Sequence, residues 1–273
     1  TIVLFAIFMQ VRLIISMMIA RLLFAICLSI GLVNTASAEE VDLELVLAMD
    51  ASGSISEKDY ILQLEGTAAA FRDPEIQAAI ASGPLGRIAV IILLWSDASF
   101  EKVDTGWFLL DSPQSANIFA TSILRFQVNE DDSIAGGIGG GTGIGAGVGA
   151  ALNLLNGNKY KGLRRVIDIS GDGIETEFDF SKGLMIRDAR IIADREKVTI
   201  NGLPIVNENF PNLDRYYRKE VIVGPGAFVE VADGFKDFGR AIKQKLLREI
   251  SSNLASLPGN KNQQYARAAV HSR

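Results

Sequence analysis

The chain has 273 residues and carries 32 acidic side chains against 27 basic ones, a formal balance of −5, with one histidine and one cysteine. That length supports one sizeable α/β core, and the acidic balance makes nucleic acid a poor partner. A lone Cys27 cannot form an intrachain disulfide, and a lone His271 in a polar tail weighs against Ser-His-Asp chemistry, Cys-His chemistry and ordinary zinc sites.

The first 38 residues hold no Asp or Glu and two basic residues, Arg12 and Arg21. An apolar run from Leu22 to Val33 leads to Ala36-Ser37-Ala38, just before Glu39-Glu40. This is the layout of a secretory signal, so residues 1–38 are predicted to be a signal peptide and the product to be periplasmic or secreted. Translation from Met17 or Met18 would leave out an additional apolar run that such a signal does not need. The alternative is an uncleaved anchor, with this segment the only membrane contact, but Arg21 interrupts the apolar stretch that spanning requires. Cys27 has no small residue before it, which argues against a lipoprotein, and its removal with the signal would leave no thiol.

From residue 39 onward, apolar runs alternate with helical patterns, the signature of strand-helix-strand units and a mostly parallel sheet. In chain order the predicted strands are Leu43 to Met49, Arg87 to Trp95, Arg164 to Ser170, Val198 to Pro204 and Ala227 to Val231. Ile88 to Leu94 is apolar at every position, as expected of a parallel strand covered on both faces. Phe100 to Leu109 follows too soon for a crossover helix and is predicted to pair antiparallel at an edge. Predicted helices are Ser56 to Phe71, Ser112 to Leu124, Gly143 to Leu155, Gly183 to Arg195 and Gly234 to Ile250. The last shows Phe235, Phe238, Ile242, Leu246 and Ile250 on one stripe, which should dock on the sheet rather than on a membrane surface. The expected fold is α/β: a doubly wound, mostly parallel sheet with one antiparallel edge strand and helices on both faces. The domain is predicted to span residues 39–250, and residues 251–273 read as a disordered tail.

Met49-Asp50-Ala51-Ser52-Gly53-Ser54 closes the first strand with an acid and two hydroxyls on one tight loop. Oxygen ligands of low total charge suit a hard divalent cation. A doubly wound sheet gathers its ligands at the carboxyl ends of its strands, so other loops should converge there. Two have matching chemistry: Gly139 to Gly145 is glycine-rich and presents Thr142, and Ser170-Gly171-Asp172-Gly173 presents Asp172. Asp50, Ser52, Ser54, Thr142 and Asp172 together resemble the metal-ion-dependent adhesion site of von Willebrand factor A domains, over Val41 to about Ile250. More narrowly, Gly86 to Val90, Leu163 to Gly173 and Ile200 to Ile205 resemble a bacterial family of secreted proteins filed as a domain of unknown function.

The resemblance implies that Ser52, Ser54 and Thr142 give hydroxyl oxygens while Asp50 and Asp172 reach the ion directly or through water. Two carboxylates against Mg2+, or Mn2+ or Ca2+, leave a nearly neutral shell that can accept a carboxylate from a protein or peptide ligand. That function is binding, not enzymatic turnover. In isolation the first loop also reads as a helix cap for Ser56 to Phe71. Asp168 sits in an apolar strand, where backbone donors or the metal's ligands could satisfy it. Glu175 and Glu177 add charge beside Asp172 and are read as part of a solvated loop, like Asn129 to Ile134, which is longer than that connection usually needs. Two rival functions remain. One is metal-dependent phosphoryl transfer or hydrolysis, although Ser52 stands where an aspartyl-phosphatase pattern has a second Asp. The other is an oxidoreductase holding a dinucleotide on Gly141-Thr142-Gly143-Ile144-Gly145-Ala146, although this turn follows an acidic run instead of a strand.

Overall fold

A computed structural model describes residues 17–18, 38–99, 101–125, 141–176 and 183–251. The chain divides into two units, Thr1–Ala38 and Glu39–Arg273. Within the first, Met17 and Met18 are helical. Apart from Ala38, the rest of the predicted signal peptide, and the predicted tail beyond Ser251, lie outside the described residues. Among the described residues no helix is long and apolar enough to cross a membrane.

The second unit is built on six strands: β1 (Glu39–Asp50), β2 (Ile88–Trp95), β3 (Val103–Asp104), β4 (Phe108–Leu110), β5 (Tyr160–Gly171) and β6 (Thr199–Pro204). Their order is β3-β2-β1-β5-β6, with β4 also paired to β2. β1 lies parallel to both β2 and β5, and β6 extends the parallel sheet beyond β5. β3 and β4 run antiparallel to β2. They are the predicted edge strand in two short pieces, separated at Gly106, whose φ of 70° breaks the extended path. Phe100 lies outside the described residues.

Every residue of β2, and of β1 from Val41 onward, is buried, because helices cover both faces. The helices are α1 (Glu57–Arg72), α2 (Pro74–Ala81), α3 (Pro113–Arg125), α4 (Ile144–Asn156), α5 (Ile186–Arg195), α6 (Leu213–Tyr216) and α7 (Phe238–Ser251). The two-residue period of β1 divides the core. Leu43, Leu45, Leu47 and Met49 pack with Leu64, Phe71, Phe119, Phe238 and Leu246 of α1, α3 and α7. Val46 and Ala48 pack on the other side with Val148, Leu152 and Ala189 of α4 and α5. Each fully buried Leu, Ile or Phe contributes roughly 1.5–3 kcal/mol, so β1 is fixed from both faces.

Some boundaries differ from the sequence reading. The Ala227 to Val231 segment is held by isolated bridges, Gly202 to Val229 and Ile205 to Ala232, rather than by a continuous ladder. The Gly183 to Arg195 helix starts only at Ile186, and the Gly234 to Ile250 helix opens with a 3-10 turn, Phe235–Asp237, before α7. α2 and α6 are additional. Asp73 caps α2 by accepting from Glu75 N at 2.8 Å, with Pro74 in its first turn. α6 continues into a π-helical turn, Tyr217–Val221.

Candidate metal centre

The parallel register brings the ends of β1 and β5 side by side, with Met49 opposite Ser170. Asp50 closes β1 and is fully buried. Ser52 N donates to its Oδ1 at 2.8 Å and Gln63 Nε2 to its carbonyl at 3.3 Å, while its Oδ2 has no hydrogen-bond partner among the described residues. The cap of α1 falls to another residue: Ser56 Oγ accepts from Asp59 N at 3.2 Å. Asp50, Ser52 and Ser54 are therefore not spent on that helix terminus.

The two serines face each other, Ser52 Oγ to Ser54 Oγ at 3.2 Å, and Ser54 Oγ donates to Asp172 Oδ1 at 2.7 Å across 118 positions of sequence. Ser52 and Asp172 are buried, whereas Ser54 is exposed, so the cluster opens to solvent on the serine side. Asn207 Nδ2 holds the Asp172 carbonyl at 2.8 Å.

Thr142 reaches the same rim from the start of α4. Gly143 N donates to Ser96 O at 3.1 Å, Thr142 N to Thr176 Oγ1 at 2.8 Å and Thr176 N to Thr142 O at 2.9 Å, which pins this turn between the end of β2 and the loop beyond Asp172. A Cβ on Gly173 would stand 3.3 Å from Thr142 Oγ1, so that hydroxyl lies beside the residue next to Asp172. The structure thus gathers all five candidate residues at one rim of the sheet.

Burial pushes the Asp50 carboxyl up to about 7 against the Ser52 hydrogen bonds, and neighbouring Asp172 adds to the rise. Burial likewise raises Asp172, opposed by the Ser54 hydroxyl. Among the described residues no three His, Cys, Asp or Glu side chains cluster, so two carboxylates and three hydroxyls make up the donor set. Two raised carboxylates, one with an orphaned buried oxygen, fit a hard dication that would compensate their charge.

Tyr217 is the site residue that the sequence reading missed, and it meets the site beside Gly171. Tyr217 sits on the π-helical turn, is fully buried, and its hydroxyl has no hydrogen-bond partner among the described residues. A Cβ on Gly171 would meet Asp50 Oδ2 at 2.8 Å and Tyr217 Oη at 2.9 Å, so glycine leaves room where those two oxygens approach each other. Gly171 stood in the quoted motif; nothing around Tyr217 marks it in sequence, because a π turn has no residue signature.

Two expectations are corrected. Asp168 is ion-paired with Lys245 of α7, so a side chain rather than backbone donors compensates it. Glu175 is buried, not solvated: its Oε2 accepts from Gly145 N at 2.8 Å, satisfying a donor at the start of α4. Glu177 and Asn129 to Ile134 lie outside the described residues. The Glu175 contact also bears on the dinucleotide reading. The amide that would face a pyrophosphate is taken by a carboxylate, and a Cβ on Gly145 would stand 2.2 Å from Leu184 O. The glycines of α4 serve close packing.

A family profile described as a protein of unknown function (DUF1194) matches residues 40–254. No curated protein matches the sequence. Among solved structures, the chain is similar to the pilus adhesin SpaC from Lactobacillus rhamnosus GG, with 13% identity and a TM-score of 0.53, covering 78% of this chain and 31% of that one. It is similar to the vWF domain of the type V pili tip protein Mfa5 from Porphyromonas gingivalis, with 11% identity and a TM-score of 0.53, covering 81% and 98%. It is also similar to proximal thread matrix protein 1 from the mussel byssus with a zinc-occupied MIDAS motif, with 14% identity and a TM-score of 0.50, covering 79% and 48%. The chain spans about a third of the SpaC chain and about half of the matrix protein. Its fold is that of von Willebrand factor A-like domains.

Proposed function

This chain belongs to the family described as a protein of unknown function (DUF1194), and on that premise we propose that it is an exported, divalent-cation-dependent binding protein that captures a carboxylate on a protein or peptide partner. The reading rests on one observation above others: Ser54 donates to Asp172 beside an Asp50 whose second carboxylate oxygen is buried and unpartnered. Asp50, Asp172, Ser52, Ser54 and Thr142 would hold the ion. Bound Mg2+, or Mn2+ or Ca2+, supplies a Lewis-acidic position open to a ligand carboxylate. The protein's own part is to hold two carboxylates in a dry pocket while leaving the serine side open. Tyr217 backs Asp50 from within the core.

The similar structures support the choice of binding over turnover: one is a pilus adhesin, one a pilus tip protein and one carries a zinc-occupied MIDAS motif. The signal-like first 38 residues support export.

The test is thermal unfolding with and without divalent cation. Mg2+ or Mn2+ should raise Tm reversibly, by an amount equivalent to about 2.7 kcal/mol at a hundredfold excess over Kd, and a chelator should remove the rise. Asp50→Ala and Thr142→Ala should each abolish most of it. An unchanged wild-type Tm ends the reading. Recovery of partners from envelope extract, with and without chelator, then identifies the ligand; turnover of a phosphate ester lost in Asp50→Ala would favour the hydrolase alternative instead.

A further inference from the structure

At the opposite end of the parallel strands from Asp50, a cavity of about 660 Å³ opens between the starts of β5 and β6, the Gly224 to Gly226 loop and the last turns of α7. Its size lies within the roughly 300–1,000 Å³ of small-molecule sites. Val166 lines it and Asp172 belongs to the candidate metal centre; six residues of extended chain, roughly 20 Å, separate them along β5.

The chain is acidic, yet this cavity is lined by four cations, Arg164, Arg165, Lys197 and Arg248, and by two acids, Asp194 and Glu249. Glu249 is engaged elsewhere: its Oε1 accepts from Lys245 at 2.8 Å and from Asn201 at 2.6 Å. Among the described residues neither Arg248 nor Lys197 has an ion-pair partner. The Arg248 guanidinium lies 3.8 Å from the centre of the buried Phe228 ring. That stacking fixes the plane of the guanidinium and leaves its edge donors, which suit a carboxylate or phosphate in bidentate fashion. Phe228, Val166 and Val198 form an apolar wall beneath the charges. Arg164 is itself held in place, donating to Glu249 O at 2.5 Å.

We infer that this cavity is a second binding site, separate from the metal centre, for a small amphiphilic anion: a flat or apolar body against Phe228 carrying one carboxylate or phosphate toward Arg248 and Lys197, Arg165 being engaged with Asn156 Oδ1. Cations and an apolar wall together select such a ligand. A neutral apolar molecule would leave the guanidinium edge unpaired, and a bare inorganic anion would leave the wall in water.

The test uses the full chain with 1-anilinonaphthalene-8-sulfonate as fluorescent probe and benzoate, phenyl phosphate, inorganic phosphate and benzyl alcohol as competitors. Saturable binding should be displaced by benzoate or phenyl phosphate at concentrations at least tenfold below those needed for benzyl alcohol or inorganic phosphate. Whichever of the first two is stronger identifies the anionic group. Arg248→Ala should weaken probe binding about tenfold or more. Lys197→Asn removes a charge while keeping a residue suited to the left-handed backbone there, where φ is 57°, and should weaken binding even if Arg248→Ala folds poorly. Asp50→Ala should bind the probe as the wild type does. Unchanged affinity in folded Lys197→Asn and Arg248→Ala, or displacement by benzyl alcohol as strong as by benzoate, overturns the assignment.

Discussion

Asp50 differs from the buried acids Asp42, Glu44 and Glu175 in what satisfies it. Asp42 accepts from Leu85 N and Arg87 N, Glu44 from Gly162 N and Asn158 Nδ2, and Glu175 from Gly145 N. Asp50 keeps one oxygen with no such donor, and the consequence can be titrated. Its carboxyl ordinarily titrates at 3.8, and the fold raises it to about 7. Between those values the folded state binds more protons than the unfolded one, so the contribution of Asp50 to metal-free stability should fall as pH rises through that window. A dication needs the ionised carboxylate, so Mg2+ affinity should climb over the same range. Titrations should therefore give a larger metal-linked rise in Tm at about pH 8 than at about pH 5. A rise independent of pH would mean that Asp50 is not among the ligands. This residue's position was legible, because a strand ending in Asp-Ala-Ser-Gly-Ser has few other uses; its missing donor was not, since that depends on Tyr217 and Gly171 arriving from other segments.

At the scale of elements, α7 is joined to the sheet by more than its apolar stripe. Lys245 and Glu249, one turn apart on α7, are fully buried and pair with each other; Lys245 also pairs with Asp168 of β5, while Asn201 of β6 donates to Glu249. Removing one partner of a buried ionic group strands the others, so Lys245→Met should destabilise the protein by about 3–5 kcal/mol in denaturant unfolding. Adding Asp168→Leu should recover part of that loss, since one stranded carboxylate is then gone. A loss within about 0.5 kcal/mol, the range of an ordinary surface substitution, would show that the network is solvated. The stripe of Phe238, Ile242, Leu246 and Ile250 announces the helix, but nothing in that pattern marks Lys245 as buried. Pairing with Asp168 requires that helix and strand be docked first, and no local pattern encodes it. α2 was legible in principle, since Asp73-Pro74-Glu75 carries both a cap and a first-turn proline. The two pieces of the edge strand were not, because Gly106 alone does not say whether a strand bends or breaks.

For the molecule as a whole, the sheet order follows from what alternating apolar runs and helices allow, and the convergence of loops follows from that order. Much of the candidate centre was therefore readable before any coordinates: parallel strands put β1 and β5 side by side, and their exits carry Asp50 and Asp172. The basic cavity was not, because Arg164, Lys197 and Arg248 lie on three separate elements and each alone looks like a solvated charge. The placement of β1 has a mechanical corollary. It begins at Glu39, ends at Asp50, and is paired in parallel with β5 from Glu39 to Met49 and with β2 from Leu43 to Asp50. A pull on a partner seated over the serines, resisted at the other end of β1, would load that strand lengthwise, so its lateral bonds would shear together instead of unzipping in turn. Single-molecule pulling along β1 should therefore need higher force than pulling β6 away sideways from the sheet, and equal forces would refute it. Built this way, the candidate metal loop and the strand that would carry such strain are one continuous piece of backbone.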